Sequence, residues 1–336
     1  MNKIGIFYGG RSTEHDASLK SKETICEMAT DFEIVDLVFV DRNGEIFLNE
    51  KKITLGELID HLKENKDVFY LNFLHGQEGE DGSWCGLFDI IDVVGSFESV
   101  NTSSILMNKY QQSMVAGQTI NNLNIPKSAL IYKTDDKSQI ILKLNSINSD
   151  FVIVKPNSMG ASHFTDKFAT KDSDQIVDFV KKILEYDDFA IIQEFIDGEE
   201  YTCGVIMIDG KIKTLPIIHV KSSIEGFLGH TSKHTKASSN IDFNDFKESS
   251  QISEITEKLW NLFGIKGMCR FDFLISPNGS IYFLEGNLLP GFSGGSAFPR
   301  MLKMAGVSIN DFIKNLIQNF QQNKVRNKFL PYSIED

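Results

Sequence analysis

Apolar runs broken by turn residues organise the first hundred positions. Ile4–Tyr8 is apolar and ends at Gly9-Gly10, which predicts a buried strand entering a turn. From Ser18, residues Leu19, Ile25 and Met28 recur at roughly helical spacing and predict a helix. Glu33–Val40 reads as the next strand, and Val68–Leu74 as a third that stops at His75-Gly76. Strands alternating with helices imply parallel βαβ units, and this first unit is expected to close near residue 97.

A helix is expected over Asn108–Gly117, with Pro126 as a break after it. Phe151–Val154 is a short apolar strand stopped by Lys155-Pro156 and then a small, flexible series, Asn157 to Ser162. Lys171–Leu184 is amphipathic, with Ile176, Phe179, Val180 and Ile183 on one face, and Ala190–Glu194 is again a strand. That order predicts a small α+β domain over 98–193. A third unit, 194–336, carries a polar stretch at Ser222–Asn244, long enough to be a functional loop or lid, and then a helix at Ile252–Leu262.

The candidate chemistry concentrates at Cys269–Asn287. Pro277-Asn278-Gly279 signals a turn between two alternating runs, hence a hairpin with its loop at Ser276–Gly279. If Ile275 opposes Ser280, then Arg270 opposes Glu285 and Asp272 opposes Phe283, so Arg270, Asp272, Glu285 and Asn287 project on one side. Two carboxylates and an amide oxygen form a hard donor set suited to Mg²⁺. Taken alone, the same residues also fit an exposed Arg270–Glu285 ion pair beside an incidental Asp272. The run from Leu288 through Gly291 to Ser296 would bring backbone N–H groups to that face, as an oxyanion requires; an ordinary turn is the alternative. Lys155 precedes a small-residue loop resembling a phosphate cradle, without P-loop or GxGxxG spacing, and Lys109 taken alone reads as a surface lysine.

Composition narrows the class. The chain has 336 residues, 41% hydrophobic and 24% charged, which is globular, and no apolar run approaches a membrane span. A net charge of −12 argues against a large nucleic-acid footprint. Cys26, Cys85, Cys203 and Cys269 are scattered outside any zinc spacing, so reduced, structural thiols in a cytoplasmic protein are expected.

These pieces together resemble the D-alanine–D-alanine ligase family of the ATP-grasp superfamily. The match runs from Gly9-Gly10-Arg11-Ser12 with Glu14-His15-Asp16-Ala17-Ser18, through Leu74-His75-Gly76 with Gly79-Glu80-Asp81-Gly82, to Met107-Asn108-Lys109 and Val154-Lys155-Pro156. It ends at Arg270-Phe271-Asp272, Glu285-Gly286-Asn287 and Pro290-Gly291-Phe292. The resemblance implies an α/β plus α+β architecture, a Rossmann-like N-terminal domain followed by a two-subdomain ATP-grasp fold. It implies ATP-dependent ligation of D-alanine to D-alanine through an acyl phosphate, for peptidoglycan precursors, by a cytoplasmic enzyme that forms a homodimer. Lys109 and Lys155 would contact ATP phosphates, Glu194, Phe195 and Ile196 would line the adenine, and Glu200 would hold the ribose. Asp272, Glu285 and Asn287 would carry two Mg²⁺, for which Mn²⁺ could substitute. Glu14 would pair with the first substrate's ammonium, Arg270 and the Gly291 N–H would stabilise the tetrahedral intermediate, and Ser162 would act from the phosphate loop. His75, Lys233, His234 and Ser296 are the implied second-substrate side.

Several positions depart from the family pattern: Ala161, His163 and Phe164 in the phosphate loop, His234 for a lid tyrosine, Gln193 for an acidic hinge residue, and Leu288 for a threonine. A protonated His234 would disfavour an ammonium nucleophile, whereas a packed or solvated one would not matter. Alternative second substrates are therefore D-lactate, D-serine or a specialised-metabolite amine. A degenerate nucleotide-binding module and a nicotinamide dehydrogenase are the rivals of other classes; the incomplete glycine fingerprint disfavours the latter.

Overall fold

In the computed structural model, residues 1–160, 163–220 and 246–322 are described; they form three β-sheets with helices packed against them. Ser162, Lys233, His234 and the expected lid at Ser222–Asn244 lie outside the described residues.

The first sheet contains β1 (Lys3–Gly9), β2 (Glu33–Val40), β3 (Ile46–Leu48), β4 (Lys51–Ile53) and β5 (Val68–Asn72), in the order β4-β3-β2-β1-β5. It carries helices α1 (His15–Met28), α2 (Leu55–Glu64) and α3 (Ser83–Ile91). β1 pairs in parallel with β2 and β5, as the βαβ reading expects, while the short β3 and β4 add an antiparallel hairpin that the periodicity did not reveal. Helix α1 starts at His15, three residues before the expected Ser18. Ser18 is a buried tie inside the helix: its hydroxyl accepts the Gly9 N–H (2.7 Å) and donates to the Phe73 carbonyl (2.5 Å).

Helices α4 (Val100–Met107) and α5 (Lys109–Thr119) come next. The Asn108 side chain accepts the Gln111 N–H (2.9 Å), so Lys109 stands at the first helical position of α5. The second sheet, β6 (Ser128–Tyr132), β7 (Phe151–Pro156), β8 (Asp166–Ala169) and β9 (Phe189–Glu194), is ordered β6-β9-β7-β8 and backed by α6 (Lys137–Ile147) and α7 (Ser173–Ile183). On α7 the buried stripe is Ile176, Val177, Val180 and Ile183; Phe179, expected on it, lies at the stripe's edge against Phe168.

The third sheet comprises β10 (Glu199–Ile208), β11 (Lys211–Thr214), β12 (Ile218–Val220), β13 (Met268–Ile275) and β14 (Ile281–Asn287), with α8 (Ser249–Phe263), α9 (Ala297–Met304) and α10 (Ile309–Gln322). One face packs Phe271, Phe273 and Phe283 with α8 and with Leu106 and Ala116 of α4 and α5. Residues Phe298, Phe312 and Leu316 of α9 and α10 pack with Ile4, Ile6 and Phe69 of the first sheet, joining the two ends of the chain. Cys85, Cys203 and Cys269 are buried free thiols; Cys26 is exposed on α1, so the packing role expected for all four holds for three.

The β13–β14 register corrects the sequence expectation. Ile275 pairs with Ile281, not Ser280, and the pairing shifts again between Asp272 and Phe273, leaving Leu284 as an extra residue. Asp272 therefore faces Glu285 and Arg270 faces Asn287. The turn slip alone would send the β14 polar residues to the core side, and the bulge restores them. All four side chains share the face opposite Phe271 and Phe273, as expected, through a different pairing.

Candidate active site

The polar face of β13 and β14 is held by a dense bonding pattern. Asp272, 3% exposed, accepts two bonds from Arg270 (Nε 2.9 Å, Nη2 2.8 Å), one from the Thr202 hydroxyl (2.5 Å) and a longer one from Asn287 Nδ2 (3.3 Å). Burial opposes the Arg270 charge, but the Asp272 carboxylate more than offsets this and raises the guanidinium's pKa above its ordinary value. The lone Arg270–Glu285 ion pair considered from sequence is thus replaced by a bidentate Arg270–Asp272 pair.

Lys109 reaches the same face from the start of α5, with its Nζ 3.2 Å from Glu285 Oε2. Its side chain is only 16% exposed, so it is not the solvated surface lysine that its local sequence suggested. Position is set by two further contacts: Asn157, in the loop after Lys155, accepts the Lys109 N–H on its carbonyl (3.1 Å) and the Tyr110 N–H on Oδ1 (3.0 Å). The loop following Lys155 is thereby fastened to the start of α5. Lys155 pairs with Ile191 across β7 and β9, and alternation puts it on the sheet face opposite the buried Val152 and Val154.

Residues assigned to the nucleotide base by resemblance surround the end of β9. Glu194 Oε1 accepts the Lys127 N–H (2.7 Å), which ties that carboxylate to the entry of β6. The Phe195 ring lies under Lys167 Nζ, 3.4 Å from its centroid, and the same ammonium lies 4.7 Å from the Phe151 centroid. Ile196 is partly buried, and Glu200, on β10, is near enough to Arg270 to help raise its pKa.

Glu14 stands immediately before α1, and the loop after β7 lies against it. A Cβ on Gly160 would fall 2.0 Å from Glu14 Oε2, so a side chain there would push the Glu14 carboxylate from its place. Gly160, Lys109, Asn287 and Glu80 line one cavity with Glu14, bringing residues from all three sheets' surroundings together. Ser296 precedes α9; its Oγ is 2.8 Å from Ser293 Oγ and would lie 3.0 Å from a Cβ on Gly291.

His75, 2% exposed, is engaged at both ring nitrogens: Nδ1 with the Leu289 carbonyl (3.1 Å) and Nε2 with the Ser21 hydroxyl (2.9 Å). Burial lowers its pKa to about 4, only partly opposed by the Leu289 carbonyl, so the ring is neutral at ordinary pH.

Sequence reasoning missed Thr202, Ser21 and Glu80 as site residues. Thr202 pairs with Asp272 across β10 and β13, a register that no local motif reveals. Glu80 stood within the Gly79–Gly82 motif without an assigned role. Burial pushes its carboxyl up to about 8, the Glu14 charge adds to this, and the Gly76 and Leu289 N–H groups and Lys109 oppose it.

The donor set fits a hard divalent cation. Asp272 and Glu285 supply carboxylate oxygens, and Asn287, with its Nδ2 toward Asp272, supplies an amide oxygen. Among the described residues no group of three or more His, Cys, Asp or Glu is gathered to hold a metal ion, so this set stands on two carboxylates and one amide. No helix among them is long and apolar enough to cross a membrane.

A family model described as "D-ala D-ala ligase C-terminus" matches residues 120–318. The D-alanine–D-alanine ligase B of Clostridium perfringens is 30% identical over 327 residues, covering 96% of this chain and all of that protein (100%). Among solved structures, the VanG D-Ala:D-Ser ligase from Enterococcus faecalis superposes with a TM-score of 0.77 at 24% identity, over 95% of this chain and 99% of that one. The D-alanine–D-alanine ligase from Bacillus anthracis complexed with ATP gives 0.75 at 23% identity, over 96% and 98%. At those identities the two structures establish the shared fold.

Proposed function

Because the chain belongs to the D-alanine–D-alanine ligase family, we propose that the polar face of β13 and β14 catalyses ATP-dependent joining of two D-alanines. The observation that carries the assignment is the convergence of Asp272, Glu285, Asn287, Arg270 and Lys109 on one sheet face, with Lys109 and Asn287 lining a cavity shared with Glu14. A module that only bound nucleotide would not need both a metal donor set and an oxyanion site.

A carboxylate is a poor electrophile. Transfer of the γ-phosphoryl group of ATP to the first D-alanine gives an acyl phosphate and ADP, so phosphate becomes the leaving group. Lys109 and Lys155 neutralise the phosphate oxygens during that transfer. Glu14 pairs with the first substrate's ammonium and orients its carboxylate. The second substrate's amine then attacks the acyl carbon, and Arg270 with the Gly291 N–H holds the oxyanion until the C–O bond to phosphate breaks and the amine proton is lost. Two Mg²⁺ ions held by Asp272, Glu285 and Asn287 would offset the phosphate charge. A cytoplasmic location, suited to an ATP consumer, and a homodimer complete the proposal. We also assign the units as 1–97, 98–193 and 194–336, with α4 and α5 of the middle unit packed into the third sheet's core.

The test is phosphate release and mass detection with ATP, Mg²⁺ and D-alanine alone, then with D-alanine plus D-serine, D-lactate or other amines. Ligation of D-alanine alone supports the proposal, and product only with D-serine or D-lactate moves the second-substrate assignment. ADP formed equally without any amino acid overturns both. Glu285→Gln should lower kcat by about two orders of magnitude or more, in line with loss of about 3 kcal/mol or more of transition-state stabilisation.

A further inference from the structure

The segment Leu289–Phe292 enters the third sheet's active face, yet much of its backbone is fastened by the first domain. Leu289 N–H donates to Glu80 Oε1 (2.9 Å), and the Leu289 carbonyl accepts from His75 Nδ1 (3.1 Å). Phe292 N–H donates to Ser21 Oγ (3.2 Å), and that hydroxyl also meets His75 Nε2 (2.9 Å). A carbonyl can only accept, so His75 carries its proton on Nδ1 and leaves Nε2 as an acceptor for the Ser21 hydroxyl, whose single proton it shares with the Ala17 carbonyl (2.9 Å). The first-domain side is itself fixed, because Glu80 Oε2 accepts the Gly76 N–H (2.6 Å) and the Ser12 hydroxyl donates to the His75 carbonyl (2.5 Å). Pro290 has no N–H. Gly291 therefore carries the segment's one amide without a protein acceptor among the described residues.

We propose that Glu80, His75 and Ser21 form an inter-domain clamp that sets the position of the Gly291 N–H, which makes Glu80 and Ser21 positioning residues for ligation. Its effect on turnover rests on the reaction proposed above; its contacts do not. The two Glu80 oxygens each meet a backbone donor, so an amide cannot replace the carboxyl without turning its own NH₂ toward the N–H of Leu289 or Gly76. Ser21 is fully buried on α1, and removing its hydroxyl leaves the Phe292 N–H and His75 Nε2 unpaired.

Amide hydrogen exchange, read by mass spectrometry on the unliganded full chain, tests the clamp without any substrate. In Glu80→Gln and Ser21→Ala, peptides containing Leu289 and Phe292 should exchange about tenfold faster or more, the scale of one lost hydrogen bond to a charged or buried partner. Peptides from β1 and β9 should be unchanged. Unchanged exchange at Leu289–Phe292, or faster exchange spread evenly over the chain in both variants, overturns the proposal. In ligation assays Ser21→Ala, which leaves Glu80 and the phosphate-binding Lys109 beside it in place, should lower kcat about tenfold with KM for ATP kept within about twofold. A raised KM for ATP at unchanged kcat also overturns it. If the wild-type chain fails to ligate D-alanine, the proposed function falls while the exchange result still decides the clamp.

Discussion

Glu98 offers a quantitative test of how the chain before α4 is fastened to the start of β13. It is 7% exposed, and its carboxyl accepts the N–H groups of Lys266 (3.0 Å) and Gly267 (2.7 Å), just before β13. Burial outweighs those two bonds and pushes its carboxyl up from the ordinary 4.5 to about 7. The folded protein therefore holds a proton at Glu98 that the unfolded chain has lost between those two values. This stabilising term is fully present below pH 4.5 and is lost as pH rises through about 7. At about 1.4 kcal/mol per pH unit, the gap amounts to about 3 kcal/mol. Glu98→Gln removes the titration and keeps an oxygen for the Gly267 N–H. Urea unfolding followed by tryptophan fluorescence, from about pH 5 to about pH 8.5 at constant ionic strength, should show the variant gaining stability over wild type across that range. Near pH 5 the two should agree to about 1 kcal/mol, and above about pH 8 the variant should lead by about 3 kcal/mol. Parallel stability curves would refute the reasoning, because they would mean that Glu98 is ionised without cost where it sits.

Two further outcomes are expected at the site. Asp272→Asn should cost about 3 kcal/mol, since it strands Arg270 against an amide NH₂, and should also abolish turnover; a loss below about 1 kcal/mol in urea would show the ion pair to be incidental. His75, with its pKa lowered to about 4 by burial, stabilises the fold above the ordinary 6.5 and loses that contribution as pH falls through about 4. Its ring protons in NMR should therefore show no titration between about pH 6 and about pH 8, and a midpoint near the ordinary value would contradict the enclosed geometry.

How much was legible depended on whether a signal was local. Glu33–Val40 and the hairpin strands were readable because apolar alternation and a Pro-Asn-Gly turn are written within a few neighbouring residues. Helix α1 was placed late because its first turn is fixed by His15 Nδ1 on the Gly10 carbonyl (2.6 Å), a polar contact with no hydrophobic period. Helix α2 carries a local signal, the Thr54–Glu57 capping box, but only Leu58 and Leu62 of it are buried, too short a stripe for the hydrophobic period to show. Lys109 looked like a surface residue because its enclosing groups, Glu285 and the Asn157 loop, lie far away in sequence. The pairing of β13 with β14 could not be counted from the turn, since a bulge leaves no periodic trace.

That bulge makes the hairpin a parity device. Lengthening or shortening the Ser276–Ser280 turn by one residue would invert every β14 side chain beyond Phe283 unless the extra residue at Leu284 were lost or doubled with it. Length variants that keep the Glu285 carboxylate on the polar face should therefore arise as paired changes at the two ends of one strand, with single-residue indels confined to chains that have given up that face.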